Sequence, residues 1–193
     1  MAYSCKLDWV DGSAPARFSI SPHLYLCSHP CIQVLDMAIG PEVWRIVNFY
    51  HDIRDASALE ALMALDLDPL IPTMVTRDFN MHSRLWSPPD ITPSRWAGRV
   101  EEWAIGNLLI LANKPGVITR RGAKHKTPSI IDLRWYNEMV VHEGVFHSWT
   151  LDWNGAMGSD HAMTHIEGST FHPEPKPPQA NLRYVISAAN QQA

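Results

Sequence analysis

Cysteine is scarce: Cys5, Cys27 and Cys31 are the only three in 193 residues. An odd number at irregular spacing excludes the disulfide framework of a small secreted domain. Long apolar runs are missing too. No stretch approaches the ~20 residues that cross a bilayer. The opening "MAYSCKLDWVDG" brings acids early and has no hydrophobic segment of signal-peptide length. The chain therefore reads as intracellular, in nucleus or cytoplasm, without membrane attachment and not secreted. A basic excess is also lacking. Sixteen Lys and Arg against 20 Asp and Glu give a net charge of −4, which argues against a general nucleic-acid coat. There is no internal repeat, and the one biased tract is the proline-rich "FHPEPKPPQAN" at 171–181.

What is present suits one globular domain with a substantial core: 46% of residues are hydrophobic and 19% charged. The domain is expected over 1–170, with 171–193 as a proline-rich extension ending in a last strand, "LRYVIS". "CIQVLDMAI", "VWRIVNFY" and "IPTMVTRDF" are short and rich in β-branched and aromatic residues, so they read as strands. "RDASALEALMALDLD" (54–68) reads as a helix capped near Asp55, with Leu59, Leu62 and Met63 on one face. A second helix is expected over 92–113, from Thr92-Pro93 to "NKPG", with Trp96, Val100, Trp103, Leu108 and Leu111 as its core stripe. "SIIDLRWY", "VFHSWTLDW" and "HAMTHIEG" read as later strands. The fold class is α/β (α+β), a layered β-sandwich flanked by helices.

Polar residues stand where these strands start or stop. Tyr50 ends "VWRIVNFY", and Asp78 and Asn80 end "IPTMVTRDFN", with His82 just beyond. Asp132 sits among apolar neighbours in "PSIIDLRW". Ser159-Asp160-His161 precedes "AMTHI". If the strand ran on, Asp78 and Asn80 would share one face while Phe79 turned to the core. Asp132 needs a partner, because an unpaired buried charge costs several kcal/mol, and His161 suits that role. One segment, 113–126, departs from the acidic average: Lys114, Arg120, Arg121, Lys124 and Lys126 occur with no acid among them. It reads as a solvated loop or as a phosphate-contacting patch. "CSHPC" (27–31) has thiols and an imidazole, but its loose spacing and lack of a second ligand pair make incidental cysteines the reading over zinc.

In this order, "RDFNMHSRLW", "PSIIDL" and "GSDH" resemble the endonuclease/exonuclease/phosphatase superfamily, and within it the endonuclease domains of non-LTR (LINE-like) retrotransposons. The likeness runs from about Tyr3 to Ile166. It implies a metal-dependent phosphodiesterase that nicks DNA, with Mg²⁺ or Mn²⁺ as cofactor. The implied catalytic residues are Tyr50, Asp78, Asn80, Asp132 and His161, with Asp160 at the metal. Thr119, Ser159, Arg120, Arg121 and Lys124 would meet the substrate. Two departures shape the expectation. Arg77 stands where the family has glycine before Asp-Phe-Asn. Nothing before Tyr50 resembles the family's first strands or its metal-binding glutamate; Glu42 lies in "GPEVW". The resemblance thus implies an N-terminally truncated copy with weak metal binding, low activity and an exposed sheet edge open to self-association. The alternatives are an inactive remnant that binds nucleic acid or a partner, and a phosphatase of small phosphoesters.

Overall fold

A computed structural model describes residues 18–22, 26–39, 42–122, 127–142 and 146–168. Strands β1 (Phe18–Pro22), β2 (Ile32–Ile39) and β3 (Glu42–Tyr50) form an antiparallel meander. Helix α1 (Ser57–Met63) carries the chain over to β4 (Thr73–Asp78), which runs parallel to β3. Helix α2 (Ala97–Gly106) and β5 (Leu109–Leu111) follow, and then β6 (Asp132–Asn137) enters between β4 and β5, antiparallel to both. The six-stranded order is β1-β2-β3-β4-β6-β5. After α3 (Glu138–His142), strands β7 (Phe146–Asp152) and β8 (Met163–Gly168) pair as a separate antiparallel sheet.

Strand alternation divides the sheet into two faces. Val47, Phe49, Val75, Leu133 and Trp135 point to one side and pack with Leu59 and Leu62 of α1 and Val100, Trp103 and Ala104 of α2. Residues of the opposite parity, Trp44, Ile46 and Tyr136, join Met37 and Val140 in a smaller cluster. Asp132 shares the parity of Tyr136, and Tyr50 that of Trp44 and Ile46. The polar strand ends therefore belong to the face away from α1 and α2. The β7–β8 hairpin touches the sheet near β5 and β6, where Trp149 Nε1 donates to the Ala112 carbonyl at 2.6 Å.

The expected strands that fall within the described residues are present, and both helices are shorter than expected. The first covers 57–63 instead of 54–68. Asp55 still marks its start, because its carboxylate accepts the Ser57 N–H at 2.9 Å and the Ser57 hydroxyl at 2.8 Å. Beyond it, Leu65 and Leu67 are buried from irregular chain and not from a helical face. The second helix covers 97–106 and not 92–113. Asn107 Nδ2 binds the Trp103 carbonyl, and Leu108 turns left-handed at φ 55°. Leu109–Leu111 then leave the helix because β6 offers them a hydrogen-bonding edge. Trp103 is core as expected, and Trp96, partly buried, packs against that core with the Arg95 and Arg99 guanidinium groups near its ring. Strand β1, strand β5 and helix α3 were not expected. The "LRYVIS" strand and the whole 171–193 extension lie outside the described residues.

Strand β5 pairs only with residues 135–137, which would leave the first half of β6 without ladder partners on the side away from β4. Side chains take the strand's place. Thr119 Oγ1 accepts the N–H groups of Ile131 and Asp132 at 3.1 and 3.0 Å. Asn113 donates to the Asp132 carbonyl at 2.9 Å and accepts the Arg134 N–H at 2.8 Å. Both are almost wholly buried, where an unpaired N–H is costly. Thr119→Val keeps the shape and removes the acceptor, so it should lower stability by about 2 kcal/mol in urea unfolding. A variant as stable as the unmodified chain would contradict this role.

Candidate active site

Register brings three of the expected residues into one row. Tyr50 faces Asp78 across β3 and β4, and Asp78 faces Asp132 across β4 and β6. Neighbouring strands lie about 4.8 Å apart, so two carboxylates sit side by side at the end of the sheet. The continuous strand expected through Asn80 does not occur. Strand β4 stops at Asp78, and Asn80 adopts a left-handed φ of 45°. The turn still delivers Asn80 to Asp78. Its N–H donates to Asp78 Oδ1 at 2.9 Å and its Nδ2 to Asp78 Oδ2 at 3.1 Å. The same Nδ2 reaches the His51 carbonyl, and His51 Nδ1 donates to the Phe79 carbonyl, both at 2.9 Å. Phe79 is fully buried, as alternation required. Arg77, in the family's glycine position, has φ 116°, a backbone region that favours glycine and strains any other residue.

Asp132 and His161 meet as expected. His161 Nδ1–H donates to the two Asp132 oxygens at 2.9 and 3.0 Å, which leaves Nε2 directed away from the pair. Backbone bonds deliver His161 from β7 and β8 to the main sheet. Arg121 N–H donates to the Asp160 carbonyl at 2.7 Å, and Ala162 N–H donates to the Thr119 carbonyl at 2.8 Å. Ser159 Oγ accepts the His161 N–H at 3.1 Å, so it shapes the turn.

The other expected residues separate by environment. Asp160 Oδ2 is tied to Arg120 Nε at 2.8 Å, and its Oδ1 lies 3.9 Å from His161 Nε2. Thr119 is only 1% exposed and supports Asp132 from behind, so its hydroxyl does not face the cleft. Arg121 stacks on Trp153. Tyr50 is half-exposed beside the acidic row. His82 points elsewhere, toward Ser87 Oγ at 3.3 Å. Lys124 and Lys126 lie outside the described residues. The "CSHPC" segment keeps Cys27 and Cys31 as free thiols, and His29 is engaged with Ser57 Oγ at 3.0 Å.

Electrostatics link the three central residues. Burial, reinforced by the neighbouring Asp132 carboxylate, pushes the Asp78 pKa up to about 6. The hydrogen bond to Asp132 raises the His161 pKa above its usual value, while the Arg120 bond holds Asp160 below the carboxylate range. Donor atoms of Asp78, Asp132 and His161 all lie within 4.8 Å of one another. Two crowded carboxylates, one raised by burial and by its like-charged neighbour, fit a hard divalent cation with oxygen ligands.

Residues 44–165 match the endonuclease-reverse transcriptase family, and the chain belongs to it. No curated protein sequence matches significantly. Among solved structures, the endonuclease domain of TRAS1, a telomere-specific non-LTR retrotransposon, aligns with TM-score 0.68 at 17% identity. That alignment covers 79% of this chain and 69% of the other. An endonuclease/exonuclease/phosphatase family protein from Leptotrichia buccalis C-1013-b aligns at TM-score 0.45 and 10% identity, over 81% of this chain and 62% of that one. The mixed α/β fold is that of the TRAS1 endonuclease domain.

A carboxyl whose folded pKa is raised from 3.8 to about 6 stabilises the fold below pH 4, and that contribution is lost as pH rises through 6. Asp78 ionised at neutral pH is therefore a burden on the fold. Asp78→Asn should raise stability at pH 7 by on the order of 2 kcal/mol and leave it nearly unchanged at pH 4. Thermal melts at the two pH values check this, and an equal effect at both would contradict it.

Proposed function

We propose that this member of the endonuclease-reverse transcriptase family is a metal-dependent phosphodiester hydrolase that nicks DNA. The observation that carries the reading is the convergence of Asp78, Asp132 and His161 within 4.8 Å, with Asp132 bound to the inner nitrogen of the imidazole. Family membership and the fold support it.

Each residue has a task that its surroundings fit it for. Asp78, with a pKa near 6, is a carboxylate at neutral pH and basic enough to take a proton from the attacking water. Asn80 fixes the direction of that carboxylate through its two bonds to it. Asp132 favours the cationic form of His161 and turns the ring so that Nε2–H donates to a phosphoryl oxygen, where negative charge grows as the P–O bond breaks. Tyr50, half-exposed at the end of the row, donates its phenol to another phosphate oxygen. Asp160 orders the loop through Arg120 and is not the main metal ligand in this reading.

Asp78 and Asp132 would hold the cation, Mg²⁺ or Mn²⁺, which would neutralise charge on the phosphoryl and leaving oxygens. Water would supply the remaining ligands, and with only two protein carboxylates the affinity would be modest. Activity is accordingly low and needs millimolar metal.

Purified protein should convert supercoiled plasmid to open circles with Mg²⁺ or Mn²⁺ and fail in EDTA. His161→Ala should slow nicking by at least ~100-fold. The rate should fall as pH rises above the raised His161 pKa, and its acid limb should lie below the metal-free Asp78 value of about 6, because a bound cation favours the ionised carboxylate. Plasmid that is bound yet uncut at every metal concentration would favour the inactive, binding-only reading instead.

A further inference from the structure

The two adjacent arginines of the 119–121 segment have different fates. Arg120 is neutralised by Asp160, at 2.8 Å. Arg121, among the described residues, has no ion pair. Its guanidinium carbon lies 4.1 Å from the centroid of the Trp153 ring, within stacking distance. Cation–π attraction uses the face of the guanidinium and leaves its N–H donors at the rim. Those donors form the planar fork that suits a phosphate.

The pair is also well placed. The Arg121 N–H is fixed to the Asp160 carbonyl at 2.7 Å, one residue from His161. Trp153 follows the last residue of β7, and its loop begins in a turn in which Asp152 Oδ1 accepts the Asn154 N–H at 2.8 Å. A long arginine side chain free in solvent would lose much rotamer entropy on gripping a phosphate. Stacked on an indole that is itself only partly exposed, it has already lost it.

We propose that Trp153 is a positioning residue that holds Arg121 as a preformed fork for one backbone phosphate of the DNA, beside the scissile one. Arg120 makes no such contact, because its charge is spent on Asp160. The inference rests on the DNA-nicking reading and assigns the division of labour within it.

The test is binding of a fluorescein-labelled DNA duplex in EDTA, followed by anisotropy across a potassium chloride series. Arg121→Ala and Trp153→Ala should each weaken binding about fivefold and lower the slope of log K against log salt by about 0.9, one phosphate contact. Trp153→Phe, which keeps an aromatic face, should restore most of the affinity. The double variant should bind no worse than Arg121→Ala alone, since Trp153 acts through the arginine. All variants should melt as the unmodified chain does. An unmodified chain that binds duplex, with Trp153→Ala matching it in affinity and slope, overturns this inference and leaves the nicking reading standing. Additive losses in the double variant also overturn it. An unmodified chain that binds no duplex in EDTA and cuts no plasmid with Mg²⁺ or Mn²⁺ overturns the nicking reading itself.

Discussion

The hydrogen bond from His161 Nδ1 to Asp132, 2.9 Å long, joins the two halves of the molecule. One partner begins a central strand of the six-stranded sheet. The other lies in the loop between the strands of the separate hairpin. Each is held from behind: Asp132 by Thr119 and Asn113 acting in place of a missing strand, and His161 by the short backbone pairing of 119–121 with 160–162. Thr119 serves both partners, its hydroxyl on Asp132 and its carbonyl on Ala162. The site's geometry thus depends on a buried threonine that never meets solvent.

Around that bond the molecule is built against its own stability. Asp78 sits beside Asp132 and is raised to about 6 by burial and like charge. Arg77, next to it, keeps a φ of 116°, a strain of about 1–3 kcal/mol for a residue with a side chain. Both features lie at the end of β4, where the chain must leave the sheet and swing Asn80 back onto Asp78. Clustering of strain and unbalanced charge at one spot is what a reactive site requires and a merely structural one avoids.

Much of this was legible in the sequence. The strands announced themselves because β-branched runs bounded by turns are local signals, and Phe79 was correctly assigned to the core. The Asp132–His161 pairing was legible by a different route, from the discomfort of a carboxylate among isoleucines. The second helix was overextended because "NLLIL" continues an apolar stripe. What removes Leu109–Leu111 from it is a strand more than twenty residues later, which no local window sees. The replacement of ladder bonds by Thr119 and Asn113 was hidden for the same reason. Trp153 drew no attention, since a tryptophan ending "SWTLDW" looks like any core aromatic until Arg121 is found upon it. Arg77 was visible only as a departure from a glycine, and its φ of 116° is one that glycine adopts without strain.

The most direct measurement is the titration of the His161 ring by NMR in the unmodified chain and in Asp132→Asn. If the carboxylate holds the imidazole as a cation, His161 titrates above the usual 6.5 in the unmodified chain. It then falls to that value or below when the charge of Asp132 is removed. A His161 pKa that is ordinary in the unmodified chain, or that the substitution leaves in place, would contradict the pairing on which the site depends.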